Sequence, residues 1–146
     1  MLVMAFMQML ILFPSMPSYN GYMAPEYALS GHFSVKTDVF SFGVLVLEII
    51  TGQKIHSFRN GENTDDLLSF AWESWKKGAG ANMIDPTLKS GSSSLHNIIR
   101  SIHIGLLCVQ DNVLDRPTMA SVVLMLNSSS ITLPASTFGT CIFHAN

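Results

Sequence analysis

The apolar positions along this chain repeat mainly with helical periods. The strongest run lies between Lys36 and Thr51. From Val39 to Ile50, nine of twelve residues are apolar: Val39, Phe40, Phe42, Val44, Leu45, Val46, Leu47, Ile49 and Ile50. A helix apolar on every side belongs at the centre of a fold. The β-branched residues keep a strand in play, but the length favours a helix, and Gly52 stands where a C′ glycine would stop it. Leu68, Trp72 and Trp75 follow at i, i+4 and i+7 on a second helix, opened by Asp65-Asp66 and closed by Lys76-Lys77-Gly78. That charge order suits the helix dipole. Leu95, Ile98, Ile99, Ile102, Leu106 and Val109 form the stripe of a third. Thr118 reads as the N-cap of a fourth that contains Met119, Val122, Val123 and Leu126. Gln53 to Thr64 is polar and reads as a loop, Lys89 to Ser94 as an exposed link, and Asp85-Pro86 as a helix break. The fold class expected is all-α, with about four helices around one fully buried helix.

Two flanking zones differ from this centre. Residues 1–20 form an apolar leader, with five of the nine methionines before Tyr19. Its core, Met1 to Phe13, has the length of a signal-peptide apolar region but lacks a preceding basic residue and a small-x-small cleavage site. It is too short to span a bilayer untilted. A cryptic signal or anchor, a buried extra helix, and sequence unrelated to the fold remain three open readings. Residues 128–146 form a tail that bears Ser, Thr and Pro and has no helical period.

Composition narrows the classes further. Of 146 residues, 48% are hydrophobic and 12% are charged, about half the charge of an ordinary soluble domain. Mean hydropathy is +0.34, yet no stretch reaches the roughly 18 unbroken apolar residues of a spanning helix. Eight basic and ten acidic residues give a net charge of −2, which excludes a polybasic nucleic-acid surface. Cys108 and Cys141 cannot build a disulfide scaffold.

Most candidate chemistry has a plainer reading. His32, His56, His96, His103 and His144 include no i, i+4 pair, and no Cys pair has metal-ligand spacing. Gly78-Ala79-Gly80 starts like a phosphate loop, but no strand precedes it and position 83 is Met where the pattern needs glycine. Cys108, among Leu106, Leu107 and Val109, reads as a buried hydrophobe. Asp65 and Asp66 serve a helix N-terminus. Three charges in apolar surroundings stand apart: Glu26 after Pro25, Asp38 at the head of the central helix, and Arg116 before Pro117. In so charge-poor a chain, such groups are expected to be paired.

These residues lie in motifs with a family resemblance. Ala24-Pro25-Glu26 resembles the A-P-E that closes the activation segment of protein kinases. Asp38-Val39-Phe40-Ser41-Phe42-Gly43 resembles the opening of the kinase F helix, and Asp115-Arg116-Pro117-Thr118 the signal before the last helix of the C-lobe. The longer strings from Gly21 to Ala28, from Phe33 to Val44 and from Ile104 to Gln110 are similar to plant receptor-like Ser/Thr kinases of the cysteine-rich group. The resemblance implies a partial kinase domain over residues 21–127, holding the F, G, H and I helices of the C-lobe, with the N-lobe and catalytic loop absent.

The resemblance also implies roles. Glu26 would pair with Arg116, Asp38 would hold the catalytic-loop backbone, and Leu45 and Ile49 would anchor the hydrophobic spine. The family's ATP and magnesium ligands lie before A-P-E. The twenty-three residues before Ala24 contain no Lys, Arg, Asp or Glu. Tyr19 stands where the family has a threonine facing the catalytic aspartate. No catalytic, cofactor or metal residue is therefore expected here, and the chain is expected not to phosphorylate alone. A binding or decoy module for kinases or their substrates, using Asp65–Gly78 and Gln53–Thr64, is the alternative. A truncated gene product without function is another. Protein partners are expected, and no nucleic acid. The location expected is cytoplasmic, since the family reaches the plasma membrane only through an intact member. Without the neighbours that cover it, the central helix is expected to expose apolar surface and to favour association.

Overall fold

The computed structural model describes residues 21–31, 33–55, 66–90 and 94–136. Among these the regular structure is helical: α1 (Pro25–Ser30), α2 (Val35–Thr51), α3 (Leu67–Lys76), α4 (Pro86–Lys89), α5 (Leu95–Cys108) and α6 (Met119–Asn127). Short 3₁₀ turns occupy Gly80–Met83 and Val113–Asp115. The leader, Asp65 and the last ten residues, with Cys141 and His144, lie outside the described residues.

Local chemistry sets the helix ends. Ser34 caps α2 through a reciprocal box with Thr37. Gly52 ends it in the left-handed region at φ 69° and returns its N–H to the Glu48 carbonyl. Asp66 caps α3 by accepting from the Ser69 N–H at 2.9 Å. Thr118 caps α6 by accepting from the Ser121 N–H at 3.1 Å. Asp85-Pro86 does more than break a helix. Asp85 is extended, as a residue before proline should be, and caps the short α4 that Pro86 begins.

Helix α2 packs chiefly against α5. Phe40, Val44, Leu47 and Ile50 of α2 meet Ile98, Ile102 and Leu106 of α5, with Leu68 and Ala71 of α3 closing that core. Val39 joins a second core with Ile104, Leu107, Cys108, Val122 and Met125. The two helices approach closely at Gly43, where an added Cβ would lie 2.6 Å from the Cys108 Cβ and 2.8 Å from the Gly105 carbonyl oxygen.

The expectation of a fully buried central helix does not hold among the described residues. Val35 is 75% exposed and Ile49 70% exposed. Both lie on the side of α2 away from α5 and α3, where no described element covers them. In α6, Val122 is buried, whereas Val123 and Leu126 are exposed. No helix among the described residues is long and apolar enough to cross a membrane.

Candidate functional site

The site is built where three chain segments converge. Ala24 is buried and precedes α1 in an extended conformation, and Pro25 starts the helix. This places Glu26 in the first turn. The turn at Val113–Asp115 and Pro117 present Arg116 from the opposite end of the sequence.

Glu26 and Arg116 meet fork to fork. Nη1 donates to Oε1 at 2.7 Å and Nη2 to Oε2 at 2.9 Å. The Arg116 side chain is 0% exposed and that of Glu26 26% exposed. A buried guanidinium needs all its donors matched. Arg116 Nε donates to the Gln110 carbonyl at 2.6 Å, Nη1 to that of Lys36 at 3.2 Å and Nη2 to that of Asp111 at 3.3 Å. Its Cζ lies 5.0 Å from the centroid of the Phe40 ring. Burial alone would raise the Glu26 carboxyl, but the Arg116 hydrogen bonds and charge, with a bond from Thr37, hold it below its ordinary value.

The head of α2 is drawn into the same knot. Lys36 Nζ donates to the Arg116 carbonyl. Thr37 Oγ1 donates to Glu26 Oε1 at 3.4 Å. Ser41 Oγ donates to the Tyr22 carbonyl at 2.6 Å. Tyr22 in turn donates its hydroxyl to Glu48, at 2.7 Å from Oε1 and 2.8 Å from Oε2. Burial and that carboxylate push the Tyr22 hydroxyl upward. Residues 22–26 are thus pinned to both α2 and the loop before α6.

Asp38 sits beside this knot but outside it. It is 7% exposed, and its Oδ1 has no partner among the described residues. Burial raises its carboxyl. The structure thus unites Ala24, Pro25, Glu26 and Arg116, leaves Asp38 without an ion pair among the described residues, and keeps Leu45 and Ile49 apart from the knot. Leu45 is half-buried, and Ile49 stands on the open side of α2.

Sequence reasoning missed the Tyr22–Glu48 bond and the carbonyl cage around Arg116. Glu48 had a signal, as the one charge inside the apolar run of α2. The cage had none, because its acceptors are main-chain atoms.

Comparison with known proteins identifies the family. The family model for protein tyrosine and serine/threonine kinases matches residues 16–126. The chain is 59% identical over 114 residues to cysteine-rich receptor-like protein kinase 41 of Arabidopsis thaliana, covering 78% of this chain and 17% of that one. It is 60% identical over 116 residues to cysteine-rich receptor-like protein kinase 29 of the same plant, with the same coverage. Against the G-type lectin S-receptor-like serine/threonine-protein kinase SRK of Arabidopsis thaliana, identity is 51% over 119 residues, 78% of this chain and 14% of that one. The chain thus spans about a sixth of these curated relatives. Among solved structures, the pseudokinase domain of BIR2, an immune regulator of the RLK/Pelle family, matches with a TM-score of 0.64 and 28% identity, over 74% of this chain and 32% of that one. The chain therefore belongs to the protein tyrosine and serine/threonine kinase family, and its described residues form the helical C-lobe part of a receptor-like kinase domain.

Proposed function

We propose that this chain supplies the C-lobe scaffold of a receptor-like serine/threonine kinase module and does not transfer phosphate by itself. The observation that carries this reading is the fork-to-fork pair of Glu26 and Arg116. It ties residues 22–26 to the base of the helical lobe, at 2.7 Å and 2.9 Å. That is an architectural task. Phosphoryl transfer needs, besides such a platform, a glycine-rich phosphate cover, a paired lysine and metal-binding Asp and Asn. The residues before Ala24 carry no basic or acidic side chain and only Gly21 as glycine. Among the described residues no three His, Cys, Asp or Glu side chains converge as a metal centre would need. On this reading the chain itself holds neither ATP nor magnesium. Both belong, on this reading, to intact relatives.

Protein phosphorylation in signalling is then the work of the whole domain, to which this part lends its platform. Its partners are proteins, either kinases of the family or their substrates, met through α3 and the loop at 53–64. Residues 56–64 of that loop lie outside the described residues. Nucleic acid is not among the partners, given a net charge of −2. The compartment that suits this role is the cytosol, with the plasma membrane reached only through an intact family member.

Calorimetric titration of the purified chain with Mg–ATP tests the reading. No saturable heat is expected up to millimolar nucleotide, and magnesium-dependent saturable binding would overturn it.

A further inference from the structure

One side chain ties down the segment that follows α6. Arg100, on α5, donates from Nε to the Met125 carbonyl at 3.2 Å. Its Nη2 donates to the carbonyls of Ser128 at 2.9 Å and Ile131 at 2.8 Å. Leu133 then packs against the second core. Residues 128–133 are thereby strapped along α5.

The strap leaves two features unexplained. A guanidinium has five N–H donors, and three of them are used here. The two on Nη1 meet no acceptor among the described residues, and no carboxylate there pairs with this half-buried cation. Beside it opens a pocket of about 270 Å³, whose polar lining of Asn97, Arg100, Ser101, Asn127 and Ser129 lies beside Ile104 and Leu126. The amides of Asn97 and Asn127 have no hydrogen-bond partner among the described residues, nor has the Ser129 hydroxyl. The neighbouring serines differ from Ser129, because the Ser128 and Ser130 hydroxyls bond each other at 2.9 Å. Among the described residues the pocket thus combines a cation without a carboxylate partner, free amide donors and one free hydroxyl on the strap itself.

We propose that Ser129 is a phosphorylation site whose phosphate seats in this pocket on Arg100 and locks the strap to α5. A phosphate monoester brings up to two negative charges and three strong acceptors. It would meet donors otherwise left to solvent, in charge-assisted bonds. The phosphoryl donor is ATP, bound by a serine/threonine kinase acting on this chain as substrate. Ser129 Oγ attacks the terminal phosphorus, the Oγ–P bond forms and the phosphoanhydride P–O bond breaks. ADP leaves, and the hydroxyl proton passes to the base of that kinase. The inference needs this chain only as a substrate, so it stands or falls apart from the function proposed above.

Two experiments on the full chain test it. In the first, the chain is incubated with Mg–ATP and the intact kinase domain of a cysteine-rich receptor-like kinase, and the phosphate is mapped by mass spectrometry. Phosphate at Ser129 is expected. Phosphate only at Ser128 or Ser130, or none in the segment, overturns the site. In the second, phosphoserine is incorporated during translation at 129 or, as a control, at 130. Phosphate at 129 is expected to slow amide exchange of residues 128–133 roughly tenfold. Its second ionisation, followed by phosphorus NMR, is expected near pH 5 rather than about 6. Phosphate at 130 should do neither. Equal effects at both positions, or none at 129, would overturn the lock. Arg100→Gln combined with phosphoserine 129 should return the ionisation to about 6, and an unchanged low value would also overturn it.

Discussion

Replacing Glu26 with alanine isolates what the buried Arg116 needs. The substitution removes both carboxylate acceptors, at 2.7 Å and 2.9 Å, from a side chain that is 0% exposed. Breaking a fully buried pair costs about 3–5 kcal/mol, because the remaining charge is left uncompensated. Two features reduce that figure here. Glu26 is 26% exposed, so water reaches the vacated position. Arg116 also keeps its bonds to the carbonyls of Gln110, Lys36 and Asp111. The expected loss is therefore about 2–3 kcal/mol. Urea unfolding followed by tryptophan fluorescence measures it, since Trp72 and Trp75 both pack against the first core. The urea midpoint should fall while the slope stays constant. Arg116→Met, which removes the charge, should leave Glu26 with little to lose. A subsequent Glu26→Ala should then cost less than about 1 kcal/mol, so that the cycle yields a coupling of at least about 1 kcal/mol. A Glu26→Ala loss within about 0.5 kcal/mol of zero, the range of ordinary surface changes, would refute the reasoning.

Other consequences are open to similar measurement. The lowered Glu26 carboxyl makes a contribution that is present above its ordinary value of 4.5 and lost as pH falls through the lower folded value. An acid-unfolding series should therefore show a loss that Glu26→Gln removes. Asp38 has the opposite sign. Its stabilising form is the protonated one, present below 3.8 and lost as pH rises through its raised folded value. Asp38→Asn should accordingly stabilise the chain at pH 7 by about 1 kcal/mol, and a destabilised variant would contradict this. Gly43→Ala sets a new methyl 2.6 Å from the Cys108 Cβ and 2.8 Å from the Gly105 carbonyl oxygen. Since backbone cannot yield cheaply, a loss of about 1–3 kcal/mol is expected despite the better helix propensity of alanine, read as a lower melting temperature. Burial pushes the Cys108 thiol up to about 12. Iodoacetamide at pH 8 should label it only after denaturant is added, and fast labelling of the folded chain would count against its burial.

Much of the fold could be read from particular residues. Gly52 and Thr118 lie where glycine and threonine signals placed helix ends, because capping is local chemistry. The all-α class followed from the stripes of α3 and α5. Burial was harder to read. Val35 and Ile49 are apolar yet exposed, since periodicity reports what a helix could bury and not which neighbours exist. Helix α1 went unseen because six residues carry too little period. Within the site, Glu26, Asp38 and Arg116 stood out as charges in apolar sequence. The distance of 90 residues between the paired two is a tertiary fact that spacing alone does not contain. Arg100 gave no signal, because its partners are carbonyls of a segment without periodicity.

Central to the function proposed above is that this kinase-family lobe keeps its architectural ion pair and does not transfer phosphate alone. The most direct test is phosphoryl transfer from labelled Mg–ATP to a generic protein substrate by the purified chain, with the intact kinase domain of a cysteine-rich receptor-like relative as positive control. Label is expected in the control and none above background with this chain. Magnesium-dependent labelling that scales with the concentration of the chain, and persists after removal of trace kinases, would contradict it.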